Sequence, residues 1–104
     1  MVLILENKNK GYYAKANYDA DQKIFVVLKG SKVSDDVAQS EKFRGNKSII
    51  SRREIYVKDG IVKENVTFKS SSTAANFITG RSTNGLIIWK DENGTKLKDL
   101  LSEV

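Results

Sequence analysis

Apolar and polar positions alternate most regularly in the first third of the chain. In YYAKANY (12–18), Tyr12, Ala14, Ala16 and Tyr18 fall on one side and Tyr13, Lys15 and Asn17 on the other. That period of two predicts a half-buried strand. KIFVVLK (23–29) is the most β-prone run, with Ile24, Val26 and Leu28 facing one way and Phe25 and Val27 the other. With DADQ (19–22) as the turn between them, the two runs predict an antiparallel hairpin. VLILE (2–6) predicts a first strand, followed by the polar turn NKNKG (7–11). IVKENVTFKS (61–70) reads as one strand, or as two short ones broken at Glu64–Asn65.

Helical spacing governs the remaining periodic segments. KSIISRREIYVKDG (47–60) sets Ile49, Arg53, Tyr56 and Ile50, Val57 at helical intervals, with Asn46 or Ser48 as the cap and Gly60 as the glycine past the end. Before it, residues 30–46 read as a long loop with a helical turn near Asp35 to Ala38 and Asp36 as its cap. In SSTAANFITG (71–80), one of Ser70, Ser71 and Ser72 accepts from the orphan amides of a helix. Ala74, Phe77 and Ile78 share a face of it, and Gly80 ends it in the left-handed conformation. LIIW (86–89), apolar on both sides, predicts a buried strand. After the turn KDENG (90–94), TKLKDLLSEV (95–104) spaces Leu97, Leu100, Leu101 and Val104 as an amphipathic helix capped by Thr95. The elements add up to a single α+β domain, 1–104, with an antiparallel sheet of about four to five strands and two to three helices.

Composition narrows the chemistry. The 104 residues suit one domain with one modest core. Cys is absent, which excludes disulfides, thiolate nucleophiles and Cys-ligated zinc. His is absent too, removing the commonest general base and metal ligand. No apolar run approaches a membrane span and the N-terminus has no signal-peptide pattern, so no membrane partner and a cytoplasmic location are expected. The net charge of +5 is uneven: Lys42, Arg44, Lys47, Arg52 and Arg53 cluster without an acid, whereas 91–104 is mildly acidic. The basic run can neutralise several phosphates, or it is a solvated face.

Other motifs weigh less. LKGSKV (28–33) lacks the spacing of a phosphate loop, and DENG (91–94) lacks the ligands that would complete a calcium loop. Asp35–Asp36, without a His, Lys base or metal partner at a defined spacing, is a solvated loop rather than an active site. Trp89 reads as core before it reads as a stacking platform. Of the early tyrosines, only Tyr13 shares a side with Lys15, which gives weak support to an aromatic–basic sheet face. GRSTNG (80–85) offers Arg81 for bidentate phosphate binding and successive amides for an anion nest. The same stretch serves structurally if Gly80 stops a helix, Asn84–Gly85 supplies positive φ, and Ser82 and Thr83 satisfy local backbone groups. No catalytic residue, cofactor or metal site is expected.

FVVLKGSKVSDDVAQS (25–40), REIYVKDGIV (53–62) and FKSSSTAANFITGRSTNGLIIWKDENGTKLKDLL (68–101), with KGYYAKANYD (10–19) upstream, together resemble the domain of unknown function 4357 family. Members carry an F-V-V-L-K-G-S-K run, an S-P-S-A-A-like helix start, then G-R-S-x-N-G-W-I-x-W-K and a D-G-K-x-L ending. Ser71 stands where Pro is frequent, Leu86 replaces a frequent Trp, and 41–52 diverges. The resemblance implies a bacterial or archaeal module often C-terminal to GIY-YIG-type nuclease domains or near restriction–modification proteins. The chain is also similar, more distantly, to the restriction-adenine-methylase-associated domain, which is suspected of DNA contact. No catalytic residue carries over, because the nuclease motif is absent. The leading expectation is a non-catalytic accessory module that binds nucleic acid through Lys42, Arg44, Lys47, Arg52, Arg53 and Arg81, with a partner nuclease domain in attendance. The alternatives are a protein-interaction scaffold and, far behind, a small carboxylate–metal enzyme using Asp35, Asp36 or Asp91. The oligomeric state stays open.

Overall fold

The computed structural model describes residues 1–38 and 46–102. In chain order the elements are β1 (Val2–Asn7), β2 (Tyr12–Asp19), β3 (Ile24–Val27), α1 (Asn46–Tyr56), β4 (Val57–Lys58), β5 (Ile61–Val62), β6 (Val66–Phe68), α2 (Ser71–Thr79), α3 (Gly85–Ile88) and α4 (Leu97–Ser102). Four strands form an antiparallel sheet in the order β1-β2-β3-β6, and β4 and β5 form a two-stranded ribbon. The result is an α+β fold, as expected.

Alternation along β1, β2, β3 and β6 sends one parity inward. Leu3, Leu5, Tyr12, Ala14, Ala16, Phe25, Val27, Val66 and Phe68 are buried on that face. Helix α2 covers it, packing on β2, β3 and β6. Its own apolar face, Ala74, Ala75, Phe77 and Ile78, is buried completely. The small alanines of β2 and α2 let helix and sheet approach closely, and the aromatic rings fill the sides. Phe68 and Phe77 have ring centroids 5.2 Å apart, and Phe25 and Trp89 4.9 Å apart. Each such ring contributes about 1.5–3 kcal/mol by leaving water. Trp89 also satisfies its one polar atom, because Nε1 donates to the Ser71 carbonyl at 3.0 Å. It is a core residue, as the pattern implied.

The caps of α2 follow the sequence closely. The Ser70 side chain accepts from the Thr73 amide, and Gly80 lies at φ 71 with its amide on the Asn76 carbonyl. The break at Glu64–Asn65 is also real: β5 and β6 are two short strands, and Asn65 Oδ1 accepts from the Lys29 amide across the gap.

Four local expectations need correction. LIIW is not a strand. Gly85–Ile88 is a single helical turn, started by Asn84, whose side chain accepts from the Leu86 amide. A short apolar run has no period with which to choose between strand and helix, so the capping residue decides. Gly60 does not end α1; the helix stops at Tyr56, and Asp59 (φ 54) and Gly60 (φ 80) form the tight turn of the β4–β5 hairpin. No helical turn forms at Asp35 to Ala38. That segment is irregular, bent at Asp35, and is tied to the end of α2 by Ser34 N to Ile78 O and Ala38 N to Gly80 O. Thr95 does not cap α4, because the helix begins at Leu97 and the Lys96 carbonyl takes its first bonds, while the Thr95 amide and carbonyl close a turn with Asp91 before it. Within α4, Leu97 is buried and Leu100 and Leu101 pack against the core; Val104 lies outside the described residues.

Candidate functional site

Of the six cations that the sequence brought forward, Lys42 and Arg44 lie outside the described residues. Lys47 is exposed in the first turn of α1. Arg52 and Arg53 are adjacent on that helix but turn to different duties. Arg53 reaches the C-terminal end of α2. Its Nε donates to Phe77 O at 2.9 Å and NH2 to Ile78 O at 3.1 Å, while NH1 and NH2 donate to Ser34 O and Ser34 Oγ at 3.0 and 2.9 Å. A cation thus meets the negative end of a helix and satisfies carbonyls that the last turn leaves free. Burial lowers the Arg53 pKa below its ordinary value, and Asp36 partly offsets this.

Arg52 lies over the Phe68 ring, 4.6 Å from its centroid, and NH1 donates to Thr67 O at 2.8 Å. β6 ends the sheet order, so this guanidinium shields an otherwise open edge strand.

The GRSTNG loop is also largely self-satisfied. The Arg81 amide bonds Thr79 Oγ1, the Thr83 amide and hydroxyl bond Asn76 Oδ1, and the Gly85 amide bonds Ser72 Oγ. These amides cannot simultaneously form an anion nest. Gly85 does not have positive φ, contrary to expectation. It is needed for proximity: a Cβ there would collide with the Ser71–Ser72 backbone, and one on Gly80 would meet the Asp36 carbonyl. Arg81 itself is exposed, with NH2 3.9 Å from Asp36 Oδ1, also exposed. Such a pair contributes little and leaves the guanidinium available. Asp91 accepts from the Asn93 and Thr95 amides, which makes DENG a turn. Among the described residues no group of three or more acidic side chains is arranged to hold a metal ion, and no helix is long and apolar enough to cross a membrane.

A different set of cations is gathered on the outer face of the sheet. The residues opposite in parity to the core are exposed or half-buried there. Two backbone bridges widen this face beyond the named strands. Ile4 exchanges both hydrogen bonds with Lys90, and Lys90 stands opposite Lys96. Tyr13 exchanges both with Lys32, and Lys32 stands opposite Ile61. Directly paired residues point to the same side of a sheet. One row therefore reads Lys96, Lys90, Ile4, Lys15, and the next reads Glu6, Tyr13, Lys32, Ile61, Lys58. Burial of Trp89, Leu97, Val33 and Val62, the chain neighbours of these lysines and of Ile61, confirms their outward parity. Neighbours within a row lie about 4.8 Å apart, and the rows are offset by two residues along β1 and β2, about 7 Å, so the two make one continuous surface. Five lysines share it, all exposed, and Glu6 is the one acid in the two rows. Tyr13 is 37% exposed within it. Of these residues, the sequence reading had paired only Tyr13 with Lys15; the other four lysines were missed.

A concavity of about 710 Å³ adjoins the rows on the same face, lined by Asn17, Ile24, Val26, Leu28 and Asn65 among others. A second of about 710 Å³ borders Ile4, Glu6 and Lys90 and runs to Ile87 on α3.

A family model described as Domain of unknown function (DUF4357) matches residues 5–101. The chain belongs to that family, as its motifs indicated. No curated protein and no solved structure matches the chain.

Proposed function

We propose that this member of the DUF4357 family is a non-catalytic accessory module that binds nucleic acid on the outer face of its sheet. One observation carries the reading: Lys15, Lys32, Lys58, Lys90 and Lys96 stand in two adjacent cross-strand rows with a single acid. Held on a rigid sheet, these ammonium groups can follow a phosphate backbone, and release of condensed counterions supplies the affinity. Arg81 and Lys47 remain exposed and can add contacts outside the rows. Arg52 and Arg53 are not assigned to the ligand, since their guanidinium groups already serve β6 and α2.

In this reading the module acts in the cytoplasm beside a nuclease or restriction–modification partner and brings that partner to DNA. The test is a polarisation titration with labelled DNA and RNA at two salt concentrations, on the native chain and on Lys15→Glu/Lys32→Glu/Lys90→Glu. Saturable, salt-dependent binding that the triple variant loses supports the reading; no binding at low salt overturns it.

A protein-docking scaffold is the second reading. It is favoured by Leu86 and Ile87, each 39% exposed on α3 beside the second concavity. Sedimentation at several concentrations, together with Leu86→Ser/Ile87→Ser, separates the two. Loss of self-association or partner capture with nucleic-acid binding intact assigns α3 to protein contact.

A further inference from the structure

The lysine rows are only half of what the outer face presents. Interleaved with them are apolar groups left exposed or, for Ile4 beside the concavity that runs to α3, half-buried. Ile4 lies between Lys90 and Lys15, Tyr13 between Glu6 and Lys32, and Ile61 between Lys32 and Lys58. The next row along the strands pairs Val2, Asn17, Val26 and Thr67. Exposure is 45% for Val2, 37% for Tyr13, 36% for Ile24 and 40% for Ile61. A charged surface that served only to attract a duplex would have no use for this floor. A duplex offers phosphates outside and keeps its base faces stacked inside, so apolar side chains in its path stay wet or exclude water from charges. A single strand offers both chemistries at once, with phosphates at one edge and unstacked base faces at the other.

Resting on the nucleic-acid reading, we infer that the ligand is a single strand. It lies across the sheet with a base on Tyr13, neighbouring bases over Ile4 and Ile61, and phosphates on Lys15, Lys32, Lys58 and Lys90. The shape agrees. A sheet face that is continuous over several strands is too broad for the B-form major groove, which admits a helix or a two-stranded ribbon. It is, however, wide enough for successive bases about one strand spacing or more apart. The Tyr13 ring suits any base, since each has a π face, so the preference is for strandedness rather than sequence. Glu6, opposite Tyr13, is positioned to accept from a base amino group without facing a phosphate.

The experiment compares three labelled probes of equal length on the native chain: a single strand, the same strand in a duplex, and an abasic strand with the same number of phosphates. The single strand is expected to bind at least about tenfold more tightly than either of the others. Tyr13→Ala is expected to weaken the single strand about fivefold or more, the scale of one lost base stack. Tyr13→Phe should restore it, and neither change should alter the abasic strand. Equal affinity for all three probes, still abolished by Lys15→Glu/Lys32→Glu/Lys90→Glu, overturns the single-strand inference and leaves the nucleic-acid reading standing. No binding of any probe at low salt overturns both. The three-probe comparison needs no variant, so a Tyr13→Ala chain that failed to fold would not blunt it.

Discussion

The two basic regions of this protein differ in how their charge is used. In α1, Arg52 and Arg53 are neighbours in sequence in a run without acids, yet their guanidinium groups turn inward to Phe68, Thr67, Phe77, Ile78 and Ser34. On the sheet, Lys15, Lys32, Lys58, Lys90 and Lys96 are scattered through most of the chain and are brought together by strand pairing. Charge density along a sequence is therefore a poor guide to charge density on a surface. Arginine suits the inward duty because its planar fork can donate to several carbonyls at once. Lysine suits the outward one because its flexible stem carries a hydrated point charge over apolar neighbours.

This contrast is open to attack by substitution. The largest effect is expected from Arg53→Ala, which strips donors from the Phe77, Ile78 and Ser34 carbonyls and should cost about 3 kcal/mol in chemical denaturation. Arg53→Lys should recover only part, since one ammonium cannot reproduce four bonds in fixed directions. Gly85→Ala follows, at about 2 kcal/mol, because the added methyl group runs into the Ser71–Ser72 backbone. Arg52→Ala should cost about 1 kcal/mol and expose the β6 edge, detectable as faster amide exchange at Thr67 and Phe68. The lysine triple reversal should change stability by less than about 1 kcal/mol, since its sites are exposed positions on the open face. Arg81→Ala should scarcely move the melting temperature. An Arg53→Ala chain as stable as the native one would dissolve the distinction between the two regions.

Much of the fold is legible in the sequence. Alternation in YYAKANY and KIFVVLK marked the hairpin and the two sides of each strand, though not which side of KIFVVLK turns inward, and Ser70 and Gly80 bounded α2, because these signals are local. LIIW defies local reading because four apolar residues in a row carry no period; Asn84, which reads in sequence as a source of positive φ, caps the turn instead. Gly60 misleads for a related reason. A glycine after a helical run looks like a helix stop, but here Asp59 shares the left-handed conformation and makes a hairpin turn. The surface was hardly legible. Alternation could show that Lys15 faces outward with Tyr13, but not that Lys32, Lys58 and Lys90 would lie beside them. Those contacts depend on the bridges from Tyr13 to Lys32, Lys32 to Ile61 and Ile4 to Lys90, which join segments from 19 to 86 residues apart in the numbering. The inward turn of Arg53 was equally hidden, since its partners belong to α2 and to the segment around Ser34.

The central claim is that the outward lysines, and not the α1 arginines, form the anion-binding surface. The most direct measurement is the salt dependence of single-stranded oligonucleotide binding, compared between the native chain and Lys15→Glu/Lys32→Glu/Lys90→Glu. Three phosphate contacts on a single strand correspond to about 2 units of the log–log salt slope. The account predicts saturable low-salt binding by the native chain and, for the folded triple variant, a slope shallower by about that amount with most of the affinity gone. A triple variant that keeps the native affinity and slope would contradict it.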